Sequence, residues 1–162
     1  MDIFDKCQHI FTISSCSGRI TIVDTPYPWT RKESTVVFKK HEPISLSDVI
    51  SILNQKCSSR LWLIASGPIL HFVADSIESA TRLLNIARSS GFKHSGIISI
   101  RDDGIVVEII SGTWTSTLLK DKDILLVPPH ELKRVIEIFN EILMEGKKRL
   151  QTLRDSILKS SL

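Results

Sequence analysis

Short β-branched and apolar stretches recur along this chain, and most of them come in pairs separated by turn residues. Residues 19–24 are predicted to form a strand, because polar and apolar side chains alternate from Arg19 to Ile22 and Val23 adds a β-branched residue. Residues 95–101 and 105–111 flank Asp102-Asp103-Gly104, a sequence typical of a hairpin turn. Paired strands predict antiparallel pairing rather than the strand–helix alternation of a Rossmann fold. The other predicted strands are residues 10–14, 34–40, 61–65, 69–74, 114–119 and 124–127.

Two stretches between these strands carry the apolar spacing and the end signals of amphipathic helices. The first begins at Ser45, with Asp48 three residues later in a capping-box arrangement. The second has Asp75 as its predicted N-cap and ends at Gly91, which suits a left-handed C-cap.

The longest periodic stretch covers residues 129–159 and contains Gly146 as its weak point. We therefore predict a single α+β domain over residues 1–162, with about eight strands in a mixed or antiparallel sheet and about three helices. No GxGxxG follows a strand, and the GxxxxGK[ST], HExxH and GxSxG patterns are missing from the sequence. Any chemistry performed by this chain is therefore expected to use a less common site.

Composition narrows the class of protein further. The chain has 162 residues, of which 42% are hydrophobic and 24% charged, as in an ordinary globular protein. No apolar run approaches the roughly 18 residues that cross a bilayer, and the N-terminus lacks a signal-peptide pattern, so we expect a cytoplasmic protein. Three cysteines without CxxC spacing, and the lack of a His/Asp/Glu cluster with ligand spacing, predict no metal site.

Positive charge is concentrated at the C-terminal end. Residues 146–162 carry a net charge of +4, whereas the whole chain carries +3. Lys147, Lys148 and Arg149 could hold an RNA backbone by displacing its counterions. The alternative is a solvated helix face.

A loop with Trp29, Arg31 and Lys32 is a second candidate for RNA binding. Aromatic rings stack on splayed bases in such loops, while cations meet phosphates. The alternative is a ring folded onto the core, which is what we expect for Trp62 and Trp114.

Small residues make up the segment Ser14-Ser15-Cys16-Ser17-Gly18, which precedes Arg19. Its backbone amides could form an anion-binding nest, and Arg19 could grip a carboxylate or phosphate with two parallel hydrogen bonds. The alternative is an ordinary hairpin turn between two strands. Cys16 would be a nucleophile only beside a base that ionises its thiol.

Two histidines, His41 and His71, lie at or in predicted strands close to turns. Each could act as a general base or could hydrogen-bond the edge of a substrate base. The alternative is a histidine that is hydrogen-bonded within the fold, and the sequence leaves both interpretations open.

Four segments together carry a family resemblance. They are Phe11 to Ile20 with its Ser14-Ser15-Cys16-Ser17-Gly18-Arg19 centre, Pro68-Ile69-Leu70-His71, Gly91-Phe92-Lys93-His94-Ser95-Gly96-Ile97, and Asn140 with Lys147-Lys148-Arg149. In this order they resemble the motifs of the wybutosine-synthesis tRNA methyltransferase family. The resemblance covers about residues 11–158, and His41 falls where that family has a histidine ending a strand.

The resemblance implies a fold without the usual Rossmann domain and transfer of a methyl group from S-adenosylmethionine to a ring nitrogen of 4-demethylwyosine, beside the anticodon of tRNA-Phe. We expect the two small-residue segments to meet and enclose the methyl donor. The residues expected at the site are Arg19, His41 and His71 for catalysis, Ser14, Ser15, Cys16, Ser17, Gly18, Ser95 and Gly96 for the cofactor or substrate, and Trp29, Arg31, Lys32, Lys147, Lys148 and Arg149 for RNA.

The chain departs from the family pattern at several places, among them Gly146, where the family often has asparagine. Gly67 stands before Pro68 where an acidic residue is usual, and the stretch after Gly112 lacks a glutamate-and-proline segment. The alternative to an enzyme is therefore a diverged, non-catalytic module that binds tRNA or the cofactor. The sequence leaves the oligomeric state open.

Overall fold

A computed structural model of the chain describes residues 9–30 and 32–160. Within these residues every strand pair is antiparallel, so the α+β prediction is confirmed, with the strands in two sheets. The strands are β1 (Ile10–Cys16), β2 (Arg19–Asp24), β3 (Thr35–Lys40), β4 (Arg60–Ser66), β5 (Ile69–Ala74), β6 (Gly96–Arg101), β7 (Gly104–Ile110), β8 (Trp114–Asp121) and β9 (Ile124–Leu125). The helices are α1 (Leu46–Leu53), α2 (Ile77–Ser89) and α3 (Pro129–Lys159).

The described residues cluster into two compact units, each built around its own sheet. The first unit comprises residues 9–17, Gly67–Gly112 and 145–160, and the second comprises Gly18–Ser66 and Thr113–Met144. The single domain predicted for the whole chain stays a prediction.

In the first unit the strand order is β1-β5-β7-β6, and α2 contacts β5 and β7. Alternation along β5 buries Leu70, Phe72 and Ala74, while Ile69, His71 and Val73 remain half-buried on the opposite face. Each large apolar side chain that is fully buried stabilises the fold by about 1.5–3 kcal/mol. The buried core consists of Ile10, Leu70, Phe72, Ala74, Ala80, Leu83, Leu84, Ala87, Phe92, Ile105, Val107, Ile109, Leu153 and Ile157.

In the second unit the strand order is β3-β2-β4-β8-β9, and its core includes residues of α1 and of the N-terminal half of α3. Asn140 on α3 accepts a hydrogen bond from the Ile44 backbone N–H and donates one to its carbonyl, both at 2.9 Å. This pair ties α3 to the segment before α1. The buried core consists of Ile20, Ile22, Ile44, Val49, Ile52, Leu61, Leu63, Ala65, Leu119, Leu132, Ile136, Phe139 and Leu143.

The helix ends follow the sequence signals with one change. The capping box predicted at Ser45 is confirmed. The N-cap of α2 is Ser76 rather than Asp75, because the Ser76 hydroxyl accepts the backbone N–H of Ser79 at 3.2 Å. Gly91 adopts the expected left-handed conformation after α2, with φ of +94°.

The small residues after the predicted strand 10–14 were expected to form a turn, and this expectation was wrong for Ser15 and Cys16. Ser14, Ser15 and Cys16 belong to β1 and pair with β5, because backbone pairing does not depend on large side chains. The hairpin alternative was also wrong, since β1 pairs with β5 whereas β2 pairs with β3 and β4. The connection between β1 and β2 is Ser17 and Gly18, and Gly18 has φ of +92°.

Candidate functional site

A row of polar residues crosses the sheet of the first unit. Ser14 pairs with His71, His71 with Glu108, and Glu108 with Gly96. Because side chains alternate along a strand, this row faces away from the core to which Phe72 belongs. The side chains of His71 and Glu108 are 31% and 32% exposed, so a ligand can reach them while their geometry stays fixed by the sheet.

Hydrogen bonds join three members of this row. The Ser14 Oγ lies 2.9 Å from His71 Nδ1, and His71 Nε2 lies 3.1 Å from Glu108 Oε2. A carboxylate only accepts, so His71 donates from Nε2, and the neutral ring then accepts the Ser14 hydroxyl proton at Nδ1. In serine–histidine–carboxylate arrangements the acid fixes the tautomer and stabilises the imidazolium. This row can therefore take up one proton at Nδ1.

A β-bulge brings Ser14 opposite His71. Thr12 pairs with Phe72 and Ser14 pairs with His71, which leaves Ile13 as the extra residue. In a regular ladder Ile13 would stand opposite His71, and the apolar side chain would replace the hydroxyl at this point of the row. Bulges of this kind are common next to active sites, where they re-aim a side chain.

The rest of the predicted small-residue segment divides between two faces. Cys16 pairs with Ile69 two residues beyond Ser14, so it lies on the face of the polar row and is half-buried. Ser15 pairs with Leu70 and belongs to the other face. Ser17 ends the first unit and Gly18 begins the second.

Gly96 closes the polar row next to Glu108. A side-chain carbon added at Gly96 would meet no atom within 4 Å, so the space beside Glu108 is open. Ser14 and Gly96 lie in one row but do not touch, because β5 and β7 stand between them. At roughly 4.8 Å per strand their separation is about 14 Å.

Ser95, the neighbour of Gly96, has a structural position. Its side chain is buried, and its hydroxyl donates to the Phe92 carbonyl at 2.8 Å and accepts from the Ile110 N–H at 3.2 Å. The hydroxyl predicted to meet a ligand is thus engaged in anchoring the turn before β6 to β7.

His41 and Arg19 belong to the second unit. His41 is half-buried, and its Nδ1 donates to the Gly18 carbonyl at 2.8 Å. This hydrogen bond fixes the tautomer and leaves Nε2 as the nitrogen that can accept a proton. Arg19 follows Gly18 directly, and no described residue pairs with its exposed guanidinium.

Arg19 lines an open cavity of about 780 Å³ in the second unit. Small-molecule sites commonly measure about 300–1,000 Å³. The prediction that Trp114 lies in the core is wrong: it begins β8, is 58% exposed and lines this cavity. Other lining residues include Thr21, Phe38, Lys39 and Ile64.

The aromatic loop predicted to meet RNA presents a stacked pair. Trp29 is 75% exposed, and its ring stacks on Tyr27 with centroids 5.0 Å apart and planes 11° from parallel. The Arg60 guanidinium lies 5.4 Å from the centre of the Tyr27 ring, where a cation–π contact holds it. Lys32 is exposed, and Arg31 lies outside the described residues.

The three consecutive cations of α3 have different surroundings. Successive helix residues point about 100° apart, so the three cannot share one face. Lys148 is exposed and Lys147 half-buried. Arg149 donates from Nε to Glu145 Oε1 at 2.9 Å, and its stem packs against Gly91.

Two residues of the candidate sites were missed by the sequence reasoning. Glu108 is the single charged residue in the otherwise apolar strand β7, and that contrast was the available signal. Trp114 gave no such signal, because an aromatic residue at the start of a strand suits a core position equally well.

Neither a metal centre nor a membrane segment emerges from the part of the chain that the structure describes. No group of three or more His, Cys, Asp or Glu side chains in residues 9–30 and 32–160 could hold a metal ion. Among the helices of the same residues, none combines the length and apolar character needed to cross a bilayer.

A family model described as "Methyltransferase TYW3" matches residues 1–159. The chain belongs to the TYW3 methyltransferase family. The resemblance carried by the four sequence segments is confirmed, and so is the expectation of an enzyme family that transfers methyl groups.

Curated relatives of the TYW3 family cover almost the whole chain. A protein of Saccharolobus solfataricus is 42% identical over 94% of this chain and 73% of its own length. A protein of Aeropyrum pernix is 40% identical over 91% of this chain and 79% of its own length. Both are named tRNA(Phe) 7-((3-amino-3-carboxypropyl)-4-demethylwyosine(37)-N(4))-methyltransferase.

Solved structures show the same fold. A Pyrococcus horikoshii protein matches with a TM-score of 0.90 at 33% identity, covering 96% of this chain and 80% of that chain. A protein of Aeropyrum pernix matches with a TM-score of 0.87 at 34% identity, covering 99% and 95%. The TYW3 fold of this chain is thus the antiparallel α+β arrangement described above.

Proposed function

We propose that this TYW3 family member transfers a methyl group from S-adenosylmethionine to the N4 nitrogen of 7-(3-amino-3-carboxypropyl)-4-demethylwyosine at position 37 of tRNA(Phe). The substrate is the one named for relatives at up to 42% identity. The observation that carries the proposal is the Ser14–His71–Glu108 row, because this reaction needs a group that accepts a proton. The cytoplasmic location stays a prediction.

The reaction requires alignment and removal of one proton. The target nitrogen loses its proton as the new nitrogen–carbon bond forms, and His71 Nδ1 takes that proton, either directly or through the Ser14 hydroxyl. Glu108 holds the ring by its Nε2–H and stabilises the positive charge that the ring acquires. General-base catalysis of this kind contributes about 10²- to 10⁴-fold in rate.

The second unit offers an alternative base. His41 Nε2 is free to accept a proton because Nδ1 is committed to the Gly18 carbonyl. We rank His71 first, since a carboxylate stabilises its protonated ring whereas a carbonyl gives His41 only a dipole.

The 780 Å³ cavity of the second unit fits the methyl donor by size and chemistry. Bound S-adenosylmethionine supplies an electrophilic methyl group on a sulfonium. Arg19 would grip the carboxylate of this ligand, and Trp114 and Phe38 would contact its adenine. The unpaired guanidinium of Arg19 is available to the carboxylate of this ligand, and the exposed indole of Trp114 is available to its adenine.

For RNA binding we propose the exposed face of Trp29 as a stacking surface, with Lys32 and Lys148 as phosphate contacts. Lys147 and, on the sequence alone, Arg31 complete this set. Aromatic and cationic side chains of this kind suit the single-stranded part of an anticodon loop.

The decisive experiment incubates the protein with radiolabelled S-adenosylmethionine and tRNA(Phe) that carries the 4-demethylated base. Label in that base supports the proposal. Binding of the tRNA without any transfer of label would instead favour the alternative, a non-catalytic module. That alternative is motivated by the departure of this sequence from the family pattern after Gly112.

A further inference from the structure

A second cavity, of about 380 Å³, opens in the first unit and plays no part in the proton transfer described above. Five residues line it: Gly91, Lys93, His94, Gly112 and Arg149. They come from the turn after α2, from the residue pair after β7 and from α3. The cavity therefore gathers three basic side chains from two distant parts of the sequence.

Two glycines set the position of the basic side chains. A side-chain carbon at Gly91 would lie 3.3 Å from Arg149 Cδ, and one at Gly112 would lie 3.4 Å from His94 Cδ2. Both side chains thus rest against bare backbone. Gly91 also has φ of +94°, which a larger residue adopts only with strain.

The charge of the cavity favours an anion. Among its lining residues the charged side chains are Lys93 and Arg149, and no carboxylate lines it. Glu145 accepts from Arg149 Nε only, which leaves the terminal guanidinium nitrogens for a ligand. The carbonyls at the end of α2 are bonded by the N–H groups of residues 90–92, so they do not oppose an anion here.

We propose that this cavity binds a backbone phosphodiester of the tRNA. The inference rests on the proposed function. A zwitterionic amino-acid group, present on both the methyl donor and the named substrate, carries an ammonium that Lys93 and Arg149 would repel, and no lining carboxylate offsets that repulsion. A phosphodiester needs only donors, and an open cavity admits a continuous strand.

The position of the cavity suits a nucleotide next to the target base. Gly112 lies four residues after Glu108 and just beyond the end of β7, which is at most about 14 Å of chain. His94 lies two residues before Gly96, the last member of the polar row. A short RNA segment can span this distance, so the phosphate contact would hold the loop while the base lies at His71.

The test measures binding of a synthetic RNA hairpin, the anticodon arm of tRNA(Phe) without the modified base, between about 50 and 200 mM KCl. Lys93→Gln and Arg149→Gln should each lower the slope of log affinity against log salt by about 0.7–0.9. Lys133→Gln is the matched control, because it removes one exposed charge from α3 outside the cavity. Lys93 is exposed, so its variant carries the test even if Arg149→Gln fails to fold.

Equal slopes for Lys93→Gln and Lys133→Gln would overturn the phosphate subsite. The subsite would also be overturned if Lys93→Gln weakened binding of S-adenosylhomocysteine, measured by calorimetry, but left RNA binding unchanged. The cavity would then hold a carboxylate of the methyl donor. The two proposals can also fail separately. If Lys93→Gln lowers the salt slope of RNA binding but the wild-type protein transfers no methyl group, the proposed function is disproved and the phosphate subsite is retained.

Discussion

Glu108 Oε2 lies 3.1 Å from His71 Nε2, and this contact decides which imidazole nitrogen can take up a proton. The two residues stand directly opposite each other on β5 and β7. Their backbones are fixed by the sheet, so the carboxylate orients the ring without a flexible loop. In the proposed reaction Glu108 is therefore a positioning residue, whereas His71, which contacts the Ser14 hydroxyl, would receive the proton.

His71→Ala is expected to lower kcat by about a hundredfold or more and to change KM little, because the base acts only in the transition state. Glu108→Gln should give a smaller loss of kcat, and Glu108→Asp should recover part of it. Steady-state methyl transfer to the demethylated tRNA measures all three. His41→Ala is the comparison: if it abolishes transfer while His71→Ala does not, the base lies in the second unit.

Arg19→Ala is expected to weaken binding of S-adenosylhomocysteine by about 1.5–3 kcal/mol, the usual contribution of a hydrogen bond to a charged group. Arg19→Lys should recover only part of the affinity, since an ammonium cannot form two parallel hydrogen bonds to a carboxylate. Isothermal calorimetry provides the measurement. Arg134→Ala, an exposed arginine paired with Glu137, controls for loss of charge. If Arg19→Ala bound S-adenosylhomocysteine as tightly as the wild type, the proposal that the methyl donor binds in the 780 Å³ cavity through Arg19 would be wrong.

Elements with strong local signals were predicted well. Helix α3 runs from Pro129 to Lys159 as its apolar spacing indicated, and β5 has the predicted bounds Ile69–Ala74. The capping box at Ser45 and the left-handed Gly91 also followed from local chemistry, because each depends on residues within a few positions.

Features that depend on distant partners could not be read from the sequence. The bulge at Ile13 exists only in register with β5, so nothing near Ser14 revealed which side chain would face His71. The apolar spacing of the two shorter helices also did not show which apolar residues are buried: Leu46 and Ile77 are 37% and 48% exposed, because neighbouring elements cover only part of each helix.

Trp29→Ala is expected to lower affinity for the anticodon-arm hairpin by about 1–3 kcal/mol, the usual effect of removing one stacked ring. Trp29→Phe should keep most of the affinity, because the smaller ring still stacks on Tyr27 and on a base. Fluorescence anisotropy with labelled RNA measures both variants. Equal affinities for Trp29→Ala and the wild type would show that the exposed indole of Trp29 does not stack on the RNA.

The capping box of α1 predicts a pH-dependent stability. The Ser45 backbone N–H, the Ser45 hydroxyl and Lys40 lower the pKa of the Asp48 carboxyl below its ordinary value of 3.8. A group whose pKa is lowered by folding stabilises the folded state above its unfolded pKa, and this contribution is lost as the pH falls through the folded pKa. Asp48 should therefore stabilise the protein fully near pH 7 and progressively less below about pH 4.

Asp48→Asn tests this through urea unfolding at about pH 7 and pH 3. At neutral pH the variant should lose about 0.3–1 kcal/mol of unfolding free energy, the usual contribution of a negative charge in the first turn of a helix. At acid pH the difference from the wild type should shrink, because the carboxyl is then largely neutral in the unfolded chain and its charge in the folded state stabilises the protein less. In Ser45→Ala the substitution at Asp48 should cost somewhat less, since the hydroxyl that helps to lower the Asp48 pKa is gone while the Ser45 backbone N–H still donates to the carboxylate. A difference that stays constant between the two pH values would mean that the carboxylate charge does not stabilise α1.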